Sequence, residues 1–339
     1  MNSPLKYFVQ TNLFLLCFCA GSIRAQVSSN GYEFLNIPSS SYVFGIGGTN
    51  VSALNSDINL VSQNPSLIGP ENGSELSVGY MHYYGSSNFA SVRYGMSLGE
   101  HGAWAAGMRY LNYGNFRGYE TDGSAVGSFT AQDIIAEGTF SYDFTYRLRG
   151  GINVKMIYSS YERYSAFAMA ADLGLNYYDE SHDVSLGLVL KNMGGQLKRF
   201  EDRYDRLPFD VEFGITKCFK ETFSFSVTAW HLTRWKLPYY VHEDGEETEL
   251  SNPGFFRNFF RHLVFGFDYS PSDKFYITLG YNYKTASDLA GYQRNFFSGF
   301  SIGTGFRVRA YSLGVAFAMP HKNASTVLLN LGIDISELI

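Results

Sequence analysis

Charge is scarce in this chain: Asp, Glu, Lys and Arg make up 17% of 339 residues, and there are nine prolines. After the N-terminal leader-like segment no apolar run approaches the roughly 18 residues of a membrane-spanning helix, which argues against helical insertion. Of three cysteines, Cys17 and Cys19 fall in the first 25 residues and Cys218 stands alone afterwards. That excludes an internal disulfide framework, and a lone thiol in a strand-like segment reads as packing. Beyond position 25 there are 24 basic and 31 acidic residues, a formal charge of −7. This balance argues against nucleic acid as a partner. What is abundant is 26 Tyr, 29 Phe and 35 Gly, a composition that fits an all-β protein with many tight turns.

Residues 1–25 read as a signal peptide. Lys6 supplies the positive start, Leu13 to Ala20 a short apolar core, and Ser22-Ile23-Arg24-Ala25 a site cleaved near Ala25. Phe18 stands before Cys19 where a lipoprotein signal wants a small residue.

From Glu75 onward apolar residues recur with period two. In Phe275 to Lys284 one face carries Phe275, Ile277, Leu279, Tyr281 and Tyr283, the other Thr278, Gly280, Asn282 and Lys284. Fourteen such segments begin near 75, 87, 102, 129, 146, 165, 183, 209, 222, 261, 273, 297, 310 and 325. Most have ten or more residues, enough for a tilted crossing of a bilayer, and the even count suits closure. Short connections alternate with a set that contains every long one (114–128, 193–208, 235–260 and 286–296), so long loops gather at one end, as in outer-membrane barrels. The polar face collects Arg93, Arg109, Glu137, Arg149, Lys155, Asp172, Lys191, Glu212, Asp268, Lys284 and Arg307. Both signs are present, so lumenal pairing is expected; facing lipid, a Lys or Arg would cost about 2–4 kcal/mol at mid-membrane. Trp104, Tyr110, Tyr142, Tyr158, Tyr177 and Tyr269 lie toward strand ends on the apolar face, as an interfacial girdle would. The expected fold is an all-β, 14-stranded antiparallel transmembrane β-barrel, residues 75–339, with an N-terminal lumenal plug, residues 26–74.

The plug follows from size. A barrel of fourteen strands is too wide to fill with wall side chains alone. The preceding segment, Tyr32 to Leu67 above all, has few charges yet contains Phe34, Leu35, Ile37, Val43, Phe44 and Ile46, which a solvated tail would not need. Gly45-Ile46-Gly47-Gly48 permits positive φ or close backbone approach and lacks dinucleotide-fingerprint spacing. Asn64-Pro65 reads as a turn where plug gives way to wall.

Gly47-Gly48, Asp57 and Asn64-Pro65-Ser66-Leu67 together resemble the opening of the FadL-like outer-membrane family. Ser66 stands where that family commonly has Ala, and the chain ends in Ile339 without the aromatic that would strengthen a barrel-insertion signal. Within the family, the phrase Phe34 to Ser41 and the total length look most similar to a barrel component of the type IX secretion system of Bacteroidota. The resemblance implies residence in the outer membrane of a Gram-negative bacterium, among lipid and lipopolysaccharide. It also implies no enzymatic activity of its own and no cofactor, and anchoring of a surface protein (PorZ-like) in an attachment complex with PorU and PorV. The alternative it leaves open is FadL-like transport of hydrophobic small molecules.

The outside loops are the expected partner surface, with Arg199, Phe200, Tyr204, Tyr239, Tyr240, Phe255 and Phe256 as its candidate contacts. The acidic run 242–249 reads as a solvated tip; it lacks EF-hand spacing for Ca²⁺. The aromatic run Phe255-Phe256-Arg257-Asn258-Phe259-Phe260 has two readings: the start of strand ten entering the interfacial belt, or an exposed docking patch. Seven scattered His residues form no metal-ligand pair, and no Ser-His-acid set is visible around His231, so no catalytic or metal residue is assigned.

Overall fold

The computed structural model describes residues 31–83, 85–119, 125–200, 204–237, 240–243, 246–249, 254–288, 296–321 and 324–338. The signal-peptide segment and Tyr239 lie outside these. Fourteen strands form one closed wall: β1 (Glu75–His82), β2 (Asn88–Leu98), β3 (Gly102–Tyr119), β4 (Ala125–Thr145), β5 (Leu148–Tyr161), β6 (Tyr164–Asp179), β7 (Val184–Lys198), β8 (Asp210–Phe219), β9 (Phe223–Ala229), β10 (Leu263–Ser272), β11 (Phe275–Asn282), β12 (Phe300–Val308), β13 (Tyr311–His321) and β14 (Ala324–Asp334). Every neighbouring pair is antiparallel, and β1 closes the ring by pairing with both β2 and β14, Glu75 opposite Asp334. A two-stranded hairpin, Tyr240–Glu243 with Glu246–Glu249, stands apart from the wall. It is where the acidic run lies.

Period two decides which way each side chain points. In β5, Ile152, Val154, Met156 and Tyr158 are exposed outward, while Asn153, Lys155, Ile157 and Ser159 are fully buried inward. Tyr142, Tyr158 and Tyr177 are likewise exposed on the outer face. An apolar outer surface of this kind is stable only against hydrocarbon. Every connection at the end where β1 starts and β14 finishes is short. One is the Lys220-Glu221 turn, with φ of 54° and 56° at its two central residues, the backbone of a type I′ hairpin.

Three boundaries differ from the sequence reading. Most of 114–128 is a paired extension of β3 and β4, with Asn115 opposite Thr130 and Tyr119 opposite Ala125. The aromatic run is no strand: Phe255–Arg261 forms a short helix, α2. Tyr283–Asp288 forms another, α3, and ends β11 at Asn282. In both, aromatic residues lie outside the wall, before β10 in one case and after β11 in the other, and side-chain contacts outside the sheet win over β propensity.

Residues 31–74 lie inside the ring as single helical turns, among them α1 (Ser41–Gly45). The apolar residues expected to pack do so. Phe34, Leu35 and Ile37 join Met81, Phe89, Leu111, Ile135 and Ile157 of the wall in one cluster. Tyr42, Val43, Ile46, Leu60 and Leu67 form a small core within the plug.

Candidate functional site: the lumen and its plug

The plug's local structure comes from short polar side chains that cap its turns. Ser40 Oγ accepts from Val43 N–H and starts α1. Asp57 accepts from the Asn59 backbone and starts the turn Ile58–Ser62. Asn64 accepts from Ser66 N–H at 3.1 Å and donates to Val51 O at 2.8 Å. Gly47 and Gly48 have φ of 108° and 90°, where a Cβ would be strained. The motif residues Gly47, Gly48, Asp57, Asn64, Pro65 and Ser66 therefore build the plug's own backbone. Asn64-Pro65 does not mark the passage from plug to wall. Asn64 is fully buried against β5 and β6, and a further turn, Pro70–Asn72, precedes β1.

The wall meets this backbone with glycine. Three inward cross-strand pairs meet the plug with both members: Gly151 opposite Gly174, Gly187 opposite Gly214, and Gly266 opposite Gly280. A Cβ on any of the first pair would strike Pro65 or Asn64; on the second, Val51 or Ser52; on the third, Ile46 or Gly47. Paired glycines weaken a sheet because they offer nothing to pack. Here they let plug main chain lie against wall main chain at three places around the ring.

Polar side chains then fix the plug in register. Asn330 of β14 clasps it on both sides, donating to Ser39 O at 2.8 Å and accepting from Ser41 N–H. Ser301 Oγ donates to Gly45 O at 3.0 Å, Ser141 Oγ to Ile68 O at 2.8 Å, and Asn59 Nδ2 to Ser77 Oγ at 2.7 Å. Asn330→Ala removes both halves of the clasp and leaves two backbone groups unpaired. The expected loss is about 1–3 kcal/mol of plug seating, read as faster chymotryptic cleavage near Tyr42 with an unchanged barrel.

No Lys or Arg occurs between positions 25 and 92, so the plug brings no side-chain cation. The wall supplies them. Arg109 donates to Leu35 O and Ile37 O at 3.2 and 3.3 Å and also pairs with Glu137, which Arg93 reaches at 2.6 Å. Arg93, Gly107 and Glu137 sit side by side on β2, β3 and β4, and the missing side chain at Gly107 opens the way for Arg93 to cross. Lys155 pairs with Asp172 at 2.7 Å and Lys191 with Glu212 at 3.0 Å; Thr49 of the plug donates to Glu212 at 3.2 Å. Nearer the short-turn end, Arg149 bridges Asp143 and the plug's Glu71, and Arg307 donates to Ser56 Oγ at 3.2 Å. Asp268 accepts from Ser270 Oγ. Lys284, expected on a strand, lies on α3 and pairs with Asp288. Arg93, Arg109, Glu137, Lys155, Asp172, Lys191 and Glu212 are almost wholly buried, so each must be paired or pay a large desolvation cost.

Cavities lie on both sides of the plug. One of about 330 Å³ faces the long loops, between Phe44, Met81, Trp230 and Lys284. One of about 900 Å³ opens at the short-turn end, between Glu71, Arg149, Asp268 and Arg307. They share no lining residue, and plug residues line both, Phe44 and Gly47 the first, Ser66 and Glu71 the second.

The expected loop contacts separate. Phe200 stacks on Tyr161 with ring centroids 5.0 Å apart, and the Arg199 guanidinium lies over the Tyr204 ring. Phe255 and Phe256 are exposed on α2. Tyr240 begins the loop hairpin, paired with Glu249. The inward glycine pairs escaped the sequence reading; their signal was present as Gly on the polar face of successive strands.

No family model and no curated protein matches the chain. Solved structures do. The toluene transporter TodX of Pseudomonas putida has a TM-score of 0.56 at 12% identity, covering 90% of this chain and 98% of its own. The toluene transporter TbuX of Ralstonia pickettii gives 0.55 at 13% identity, covering 88% and 98%. A Pseudomonas aeruginosa FadL homologue gives 0.51 at 11% identity, covering 87% and 98%. A span of 90% cannot be confined to residues 75–339, so the likeness extends into the plug. At these identities it is a likeness of fold, and the chain is a plugged, fourteen-stranded membrane β-barrel with the fold of FadL-like barrels.

Proposed function

We propose that the protein is a non-enzymatic outer-membrane barrel that anchors a surface partner, in the manner of PorQ of the type IX secretion system. Its partner would be a PorZ-like surface protein held by the outside loops, in an attachment complex with PorU and PorV beside lipopolysaccharide. The observation that carries this reading is the plug's seat. Among the described residues, plug main chain is pressed into three glycine pairs, clasped by Asn330 and tied through Arg109 to the buried charges of β2 to β4, a seat that suits a closed barrel better than a conduit for apolar molecules. Electrostatic complementarity from loops of mixed charge, such as Lys198 to Arg206, suits a salt-sensitive protein contact.

Transport of hydrophobic small molecules is the second reading, and the comparisons favour it: two of the structures sharing the fold are described as toluene transporters. Fold alone does not fix function. The test that separates the two is purification of the tagged protein from crosslinked outer membranes, with a parallel uptake assay for toluene and a long-chain fatty acid. Anchoring predicts a large surface protein in stoichiometric yield and unchanged uptake on deletion of the gene. Recovery of the barrel alone, with uptake lost on deletion, establishes transport instead.

A further inference from the structure

Helix α2 is amphipathic in an unusual sense: its polar side is buried and its aromatic side is not. Asn258 and Arg261, one turn apart, point into the protein. Asn258 donates to Trp235 O, and Arg261 donates to Leu237 O at 3.1 Å and to Asp288 at 2.5 Å. The next residue, His262, sets its two ring nitrogens against Trp230 O and Trp235 O. These bonds fix the helix's rotation. They leave Phe255, Phe256, Phe259 and Phe260 on the other face, with Phe255 64% and Phe256 76% exposed. Water would not tolerate four adjacent phenyl rings held out by a rigid polar pin without compensation.

The rings also lead somewhere. Phe260 contacts Tyr283 at 6.1 Å between centroids, Tyr283 contacts Tyr281 at 6.5 Å, and Tyr281 contacts Phe300 at 4.7 Å. Tyr281 and Phe300 sit on the lipid-facing side of β11 and β12, in register with one another. The aromatic face of α2 is therefore continuous with the barrel's lipid-facing surface, at the long-loop end. We infer that α2 lies in the headgroup region of the outer leaflet, its four phenyl rings in lipid. There it holds Trp230, Trp235 and Leu237 through Asn258, Arg261 and His262. A short helix with Phe on one face and polar groups on the other is the kind of element that beds in an interface, and aromatic rings are favoured at that depth. The inference does not rest on either functional reading above.

Site-directed spin labelling tests it. Phe256→Cys on a Cys218→Ser background is labelled with a nitroxide, and the intact barrel is placed in vesicles of phosphatidylethanolamine and lipopolysaccharide. Access of oxygen and of a water-soluble nickel chelate is compared with labels at Leu279, on the lipid face, and Glu221, in a short turn. The expected result is a shift of Phe256 toward the Leu279 value: oxygen access high, nickel access lost. Phe259→Cys, one turn on, repeats the reading if the first label perturbs the helix. Nickel access equal to that at Glu221 overturns the inference. So does nickel access in vesicles that vanishes only in native membranes, because the occupant would then be a protein.

Discussion

Glu137→Ala will cost the barrel about 3–5 kcal/mol, the range for removing one partner of a buried ion pair, and the upper end is expected because two guanidinium groups depend on this one carboxylate. Arg93 and Arg109 flank Glu137 with all three side chains at most 2% exposed. Without the carboxylate the two cations face each other across Gly107 with no anion between them, and Arg109 retains only the carbonyl oxygens of Leu35 and Ile37. The loss spreads from wall to plug through Arg109. The measurement is the urea midpoint of the detergent-solubilised barrel, together with the temperature at which it loses its compact migration on gels. A triple variant, Arg93→Met, Glu137→Leu and Arg109→Met, removes the charges together and recovers most of the wall's stability, because replacing a buried ionic group whole is often neutral. A shift below roughly 0.5 kcal/mol in the single variant would mean that water reaches these groups.

Gly280→Val will unseat the plug. A Cβ at Gly280 falls inside contact distance of the Gly47 nitrogen and the Ile46 carbonyl carbon, and both are backbone atoms that cannot turn away. Overpacking of this kind costs about 1–3 kcal/mol, which shifts the balance between seated and displaced plug roughly five- to 150-fold. Chymotryptic cleavage around Tyr42 and Phe44 should quicken by that factor, with the wall intact. Gly138→Val is the matched control: it points outward from β4 with no atom within 4 Å of a built Cβ, so cleavage should stay at the wild-type rate. Gly187→Val, which strikes Val51 from four strands along the ring, should reproduce the effect.

The wall was legible because a two-residue period repeated over long segments fixes both strand and face. All fourteen segments appear in the closed ring, and β1 starts at the expected Glu75. The plug was legible for a different reason: Phe34, Val43 and Ile46 have no business in a solvated Gly- and Ser-rich tail. What the sequence hid depends on register and on contacts between distant segments. That Gly187 meets Gly214, or that Asn330 reaches Ser39 across most of the chain's length, follows only once strands are aligned. The same holds for α2. Its Phe-rich run reads as a strand entering the interface until Arg261 and Asn258 find carbonyl oxygens at Trp235 and Leu237. Asn64-Pro65 reads as a turn and is one, but a turn signal says nothing about where in the lumen the turn is buried.

The central claim is that the plug divides the lumen into two compartments. Ion conductance across a planar lipid bilayer containing the full-length protein measures this directly. The account predicts no sustained openings from the wild-type protein and stable openings from Gly280→Val under the same voltage and salt. Steady wild-type conductance equal to that of the variant would contradict it, since ions would then be passing a plug that the glycine pairs, Asn330 and Arg109 were supposed to hold in place.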